Sequence, residues 1–281
     1  MTTTCLKTYR RLAIVFGFIA LNVLHSIAAS AIRRGLGRRK RQIELTTLYS
    51  RHILKALGFK MKAASVSLPE GAFIVANHLS YVDILSIASV GPCVFVTSTE
   101  MRDTPGLGLI CRLGGSLFVN RRRHFVSRKE WAEISQCLLA NLRVVVFPEA
   151  TSSDGSAVLP FKRGLFRAAQ NIRARLVSLC INYREFSQSE SCDELKNRIC
   201  FYGDEQFLPH LLRLASGSAM EISIEGVESR RFEGHEDLRE LVPQLRTEIS
   251  DLFEPLTHDD PVEALSAPLV QRSEEWIQAA I

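Results

Sequence analysis

The sequence predicts an α/β fold, a sheet flanked by helices, carried behind an N-terminal membrane-anchoring helix. Three observations predict it. Short continuous apolar runs of strand length recur along the chain, helical patterns lie between them, and a charge-free run of 21 residues near the start is flanked by basic clusters. With 281 residues, 46% of them hydrophobic, the chain can bury a substantial core. Ten Pro and 16 Gly are too few for a collagenous or low-complexity protein, and no period of solenoid length recurs.

The anchor comes first in the chain. Leu12 to Ile32 carries no charge, and as a helix rising about 1.5 Å per residue it matches roughly the 30 Å of a bilayer's hydrocarbon core. Lys7, Arg10 and Arg11 precede it, and Ala29-Ser30-Ala31 is a cleavage-like site, so a signal peptide competes with an uncleaved anchor. The flank that follows, Arg33, Arg34, Arg38, Arg39, Lys40 and Arg41, favours the anchor, because such clusters stay cytoplasmic and attract anionic lipid. Asn22, His25 and Ser26 place polar groups in the second half of the run, so both spanning and dipping into one leaflet fit. The formal net charge of +5 is concentrated here: residues 1–43 hold nine Lys or Arg and no acid, and the remainder is net negative. A basic stretch around an apolar run points to a membrane surface and away from nucleic acid. Seven cysteines, with no C-x-x-C and no metal-ligand spacing, fit a reducing compartment and no metal.

Behind the anchor, an amphipathic helix is expected around Leu45 to Leu57. Buried strands follow at Phe73 to Ala76, Val94 to Val96, Leu117 to Val119, Val144 to Phe147 and Leu176 to Ile181, with helices at Tyr81 to Ser89, Ser127 to Leu139 and Leu165 to Ile172. Arg184 to Arg198 is polar and reads as a long loop; Met220 to Ile224 reads as a last strand, before a helix around Leu238 to Phe253. From Phe232 onward there are 12 acids against three Arg. The chain thus divides into an anchor (1–43), a soluble domain (44–253) and an acidic tail (254–281).

Three segments carry chemistry. In Asn77-His78-Leu79-Ser80-Tyr81-Val82-Asp83, His78 and Asp83 are five apart, about 140° around a helix, so they meet only if His78 sits in the turn before the helix. There Asp83 would orient the imidazole as a general base. Ser80-x-x-Asp83 is equally a capping box, in which Asp83 serves only backbone donors. Phe147-Pro148-Glu149-Ala150-Thr151 ends a buried run, at the carboxyl end of a strand, where α/β folds place ligands; its Pro, Ser, Asp and Gly neighbours also suit a plain turn. Gly115-Ser116-Leu117-Phe118-Val119-Asn120-Arg121 ends another strand, and an Arg here either grips a phosphate or belongs to a solvated basic loop.

In order and spacing, these segments resemble the blocks of the glycerolipid acyltransferase family over roughly residues 69–234: Asn-His-four residues-Asp, then Gly-x-x-Phe-Val/Ile-Asp/Asn-Arg, then Phe-Pro-Glu-Gly-Thr. Tyr202-Gly203-Asp204 and Phe207-Leu208-Pro209-His210-Leu211 also look like later parts of bacterial members, including those that acylate lyso-ornithine lipid. The resemblance implies a mixed sheet flanked by helices and a membrane-bound O-acyltransferase. Such an enzyme moves a fatty acyl group from acyl-CoA or acyl carrier protein to a lysolipid hydroxyl and needs no further cofactor. The first acceptor implied is 1-acylglycerol-3-phosphate, giving phosphatidate; lyso-ornithine lipid or another lysophospholipid is the alternative. His78 and Asp83 would be catalytic, and Asn77, Arg121, Glu149, Thr151 and Lys162 would bind substrate, with Glu149 pairing Arg121 or a neighbouring cation. The domain would face the cytoplasm at a bacterial inner membrane.

Three positions depart from the family pattern: Ala150 replaces a usual Gly, LVSLCINY lacks a usual Pro, and Ser98 or Thr99 stands where a Lys is common. These departures motivate a non-catalytic lipid-binding protein as the remote alternative. A serine hydrolase lacks its G-x-S-x-G elbow, no Walker A motif is present, and GLGLIC at 106–111 misses the last Gly of the dinucleotide fingerprint.

Overall fold

In the computed structural model, residues 3–256 are described, except 63, 64, 66, 121–125, 187–190 and 228. Two long helices open the chain, α1 (Thr3–Ile32) and α2 (Gly35–Leu57), broken only at Arg33 and Arg34. They run antiparallel: Ser30 meets Gln42, the His25 ring and the Tyr49 hydroxyl are 2.6 Å apart, and Phe18 stacks on His52. The polar residues that complicated the anchor therefore have partners on α2 or within α1, where Ser26 donates to Asn22. The expected boundary at residue 43 falls inside α2, so anchor and domain share one continuous helix.

The strands are β1 (Phe59–Met61), β2 (Ala72–Ala76), β3 (Cys93–Ser98), β4 (Leu117–Val119), β5 (Arg143–Val146), β6 (Arg175–Glu185), β7 (Met220–Gly226) and β8 (Arg230–Arg231). They form one mixed sheet in the order β1-β7-β6-β2-β5-β3-β4, with β8 on β6. The span β6-β2-β5-β3-β4 is parallel, while β7 and β8 lie antiparallel to β6. The connecting helices are α3 (Tyr81–Val90), α4 (Thr99–Asp103), α5 (Leu107–Leu113), α6 (Arg128–Leu139), α7 (Phe166–Gln170), α8 (Cys192–Ile199), α9 (Phe207–Ser216) and α10 (Leu238–Ser250).

Alternation along the central strands builds two cores, because successive strand side chains point to opposite faces. Ile74 and Val145 pack with Leu54, Val82, Ile87 and Leu211 on the face of α2, α3 and α9. Phe73, Val75 and Val144 pack with Ile134, Phe166 and Leu245 on the face of α6, α7 and α10. Outside the first face lies α1, attached to the end of α9 by Arg11, which donates to the carbonyls of Ala215 and Gly217 at 2.9 Å each.

Two expectations are corrected. The stretch Arg184 to Arg198 is not one long loop: β6 runs on to Glu185, paired with Met220, and α8 begins behind Ser191, whose hydroxyl accepts the Glu194 N–H while Glu194 accepts from the Ser191 N–H. That Ser-x-x-Glu box offsets the polar composition that suggested a loop. The acidic tail does not begin cleanly at 254 either. Glu254 binds Arg184, and Leu256 is buried and donates its N–H to Gly155; the tail beyond residue 256 lies outside the described residues.

Candidate active site

Strands β2 and β5 are neighbours, yet the helices that follow them leave to opposite faces: α3 contributes Val82 and Ile87 to one core, α7 Phe166 and Ala169 to the other. Such a divergence opens a crevice at the carboxyl ends of the two strands. Both the His78 segment and the Glu149 segment lie there.

His78 sits in the turn after β2, as its spacing from Asp83 requires. Its Nδ1 lies 2.9 Å from Asp83 Oδ2, and the same oxygen accepts the N–H groups of Leu79 (2.7 Å) and Ser80 (2.8 Å). Asp83 thus caps α3 and holds the imidazole at once, so the two sequence readings are both true of one oxygen. Oδ1 accepts the hydroxyl of Tyr183, on β6. Burial pushes the Tyr183 phenol well above its usual range, and the adjacent Asp83 charge adds to this, so the phenol remains a donor. With Nδ1 turned toward Asp83, Nε2 is the ring nitrogen left to meet a substrate. The ring stacks on Phe147 at 4.1 Å between centroids, and the side chain keeps 17% exposure while Asp83 has none.

Glu149 is buried rather than facing an acceptor. Oε1 accepts the backbone N–H of His78 at 2.7 Å, and Oε2 accepts that of Leu159 at 2.8 Å. Both oxygens bond the backbone, no Arg pairs with it among the described residues, and the side chain fastens the His78 turn to the loop after β5. Burial pushes its carboxyl up to about 8, which the two N–H bonds only partly oppose. Asn77 is likewise a brace, since its amide exchanges hydrogen bonds with both backbone groups of Ile181 at 2.8 and 3.0 Å. Thr151 and Lys162 are exposed; the Thr151 hydroxyl bonds only locally, to the Ser152 carbonyl, and the Lys162 N–H donates to Pro148. Arg121 lies outside the described residues.

The departures from the family pattern also find places. Ala150 takes φ +64°, so the turn after Glu149 keeps the left-handed conformation without glycine. Ser98 caps α4 by accepting the Met101 N–H at 3.2 Å. Around the C-terminal ends of β3 and β4 lies a cavity of about 960 Å³, bounded by α2, α4, α5 and the start of α6; its walls include Thr99, Gly115 and Asn120. Neither Tyr183 nor Phe147 was singled out from the sequence as a site residue. A Tyr ending the apolar run LVSLCINY needs a partner for its hydroxyl, which is a usable signal, but that partner lies 100 positions away.

A buried carboxylate beside a partly exposed imidazole, at the carboxyl edge of a sheet, is an arrangement suited to general-base chemistry on a hydroxyl. Comparison with known proteins specifies the class further: residues 60–182 match the family described as Acyltransferase. A lyso-ornithine lipid O-acyltransferase of Brucella abortus is 30% identical over 189 residues, covering 64% of this chain and 70% of that protein. A 1-acyl-sn-glycerol-3-phosphate acyltransferase of Neisseria meningitidis is 32% identical over 152 residues, covering 52% of this chain and 56% of that protein. The fold matches that of PlsC, the 1-acyl-sn-glycerophosphate acyltransferase of Thermotoga maritima, with a TM-score of 0.61 at 18% identity over 94% of this chain and 97% of that one. The chain belongs to the acyltransferase family, and acyl transfer is its class of reaction.

Proposed function

We propose that the protein acylates the free hydroxyl of a lysolipid, 1-acylglycerol-3-phosphate first, from a thioester donor on coenzyme A or acyl carrier protein. The observation that carries this is the His78–Asp83 pair, with Nδ1 2.9 Å from Oδ2 and the imidazole side chain partly exposed. In the reaction, Nε2 takes the hydroxyl proton as the acceptor oxygen attacks the thioester carbonyl. Asp83, kept in place by Leu79, Ser80 and Tyr183, stabilises the imidazolium that results. The proton then passes to the departing thiolate, and no acyl-enzyme is formed. Glu149 and Asn77 are positioning residues, holding the turn that presents His78.

A lyso-ornithine acceptor is the second reading, favoured by the Brucella relative, of which 70% is covered. Five cations against three acids in the cavity at the ends of β3 and β4 support an anionic head over a zwitterionic one.

The protein associates with a membrane through α1, whose segment Cys5–Ile32 is long and apolar enough to cross one. Leu6, Phe16, Leu21, Leu24 and Ile27 are exposed on it. Its early part is clamped to α9 by Arg11 and its last turn to α2 through Ser30. Both attachments support a helix lying in one leaflet along the domain, on the cytoplasmic side where its basic flank would reside.

The test is thiol release from acyl-CoA and acyl carrier protein by membranes containing the protein, offered a panel of lysolipids. Release that depends on 1-acylglycerol-3-phosphate, with phosphatidate formed, is expected. Release only with lyso-ornithine lipid would replace the first acceptor by the second, and release no greater than that of empty membranes would leave the lipid-binding alternative.

A further inference from the structure

The basic flank of the anchor does more than face lipid. Arg38 and Arg39, on the first turns of α2, line the 960 Å³ cavity at the ends of β3 and β4, together with Arg102 of α4, Arg112 of α5 and Lys129 of α6. The lining also holds three acids, Asp103, Glu130 and Glu133, so its five cations outnumber them by two. Asp103 is taken by Arg102 at 3.0 Å, and Glu130 accepts the backbone N–H groups of Asn120 and Ser127. Arg38, Arg112 and Lys129 have no ion-pair partner among the described residues. Arg39 donates Nη1 to the Gly115 carbonyl at 3.1 Å, which ties its guanidinium to the block Gly115 to Asn120, and its other N–H groups make no hydrogen bond among the described residues. Cations from α2, α4, α5 and α6 gathered around one cavity repel one another unless an anion joins them. The placement also answers a substitution: Ser98 and Thr99 stand where a Lys is common, Thr99 lines this cavity, and the arginines of α2 supply positive charge at that strand end.

We propose that Arg38 and Arg39 bind a substrate phosphate in this cavity, so that the anchor's basic flank is part of the substrate site. This rests on the acyl-transfer reading, in which either partner can carry the group: the acceptor as a glycerol phosphate, the donor on its coenzyme A or phosphopantetheine arm. Strands about 4.8 Å apart place the end of β3 about 10 Å from that of β2, a span both kinds of substrate can bridge. A planar guanidinium held by Gly115 suits phosphate oxygens better than a freely rotating ammonium does.

The experiment uses the full-length protein in detergent and in membranes, with the double variant Arg38→Gln/Arg39→Gln and, as a second variant, Arg112→Gln on α5. Arg41→Gln is the control, since Arg41 belongs to the same flank but pairs with Glu44 and does not line the cavity. The expected result is a KM raised roughly 10- to 100-fold in the double variant, for lysophosphatidate if the acceptor's phosphate is held and for acyl-CoA if the donor's is, with kcat and membrane retention kept. Thermal unfolding with glycerol 3-phosphate or coenzyme A reads the site without turnover. One of the two should raise the midpoint of the wild type and of Arg41→Gln, and fail to raise that of the double variant, even if no acyl transfer is detected. No midpoint shift in the wild type, equal shifts in the double variant, unchanged KM for both substrates, or an equal KM change in Arg41→Gln would overturn the proposal.

Discussion

His78 and Asp83 are joined through a single oxygen that has two other obligations: Oδ2 of Asp83 receives the imidazole at 2.9 Å while accepting the N–H groups that begin α3. Orientation of the base and integrity of the helix start are therefore the same structural fact. Loss of the carboxylate should register in stability and turnover together.

Asp83→Asn is expected to lower kcat by about 10²-fold or more, because the imidazolium loses its counter-charge and Nδ1 its acceptor. It should also cost about 1–3 kcal/mol of stability, since four donors meet an amide with one acceptor oxygen. Chemical denaturation beside steady-state kinetics checks both; a destabilised variant with full turnover would reduce Asp83 to a cap.

Tyr183→Phe keeps the ring packing and removes only the hydroxyl on Asp83 Oδ1. The expected outcome is a loss of about 1–3 kcal/mol and a kcat reduction smaller than that of Asp83→Asn, with KM unchanged. A change in KM with kcat intact would mean that Tyr183 acts on substrate binding instead.

Ala150→Gly should raise stability by about 0.5–1 kcal/mol and leave activity unchanged, because Gly occupies φ near +64° without the steric cost that Ala bears there. Thermal unfolding decides it. A lower midpoint would show that the turn's strain is relieved in some other way.

Glu149 gives stability a pH dependence of known sign. Its ordinary value is 4.5 and burial pushes it up to about 8. Between those values the unfolded chain has released the proton while the folded protein retains it. The contribution is therefore full below about 4.5 and is lost as pH rises through about 8. Glu149→Gln does not titrate, so its thermal midpoint should fall less than that of wild type between pH 5 and 8.5. Parallel curves would contradict this.

Most of the sheet was legible because five of its strands are buried on both faces and read as continuous apolar runs; β2 to β6 all fall where those runs lie. β1 and β8, of three and two residues, have no periodicity of their own and exist only through pairing with β7 and β6. α8 was hidden by polar composition, although Ser191 and Glu194 spelled out its cap. In the site, the five-residue spacing put His78 in the turn before α3 and left open whether Asp83 meets the imidazole or only caps the helix. The destination of Glu149 was not readable: nothing local distinguishes a carboxylate that binds a ligand from one that bonds the backbone of a residue 71 positions earlier. The basic flank was read as lipid-facing because its contact with Gly115 spans 76 positions.

The most direct test of the account is the rate of acyl transfer by His78→Ala, measured as thiol release and acylated lipid in one assay, with thermal unfolding of the same preparation. With Nε2 as the proposed proton acceptor and Asp83 still capping α3 through Leu79 and Ser80, a loss of at least about 10²-fold in kcat at an essentially unchanged midpoint is expected. A folded His78→Ala protein that forms acylated lipid at the wild-type rate would contradict it.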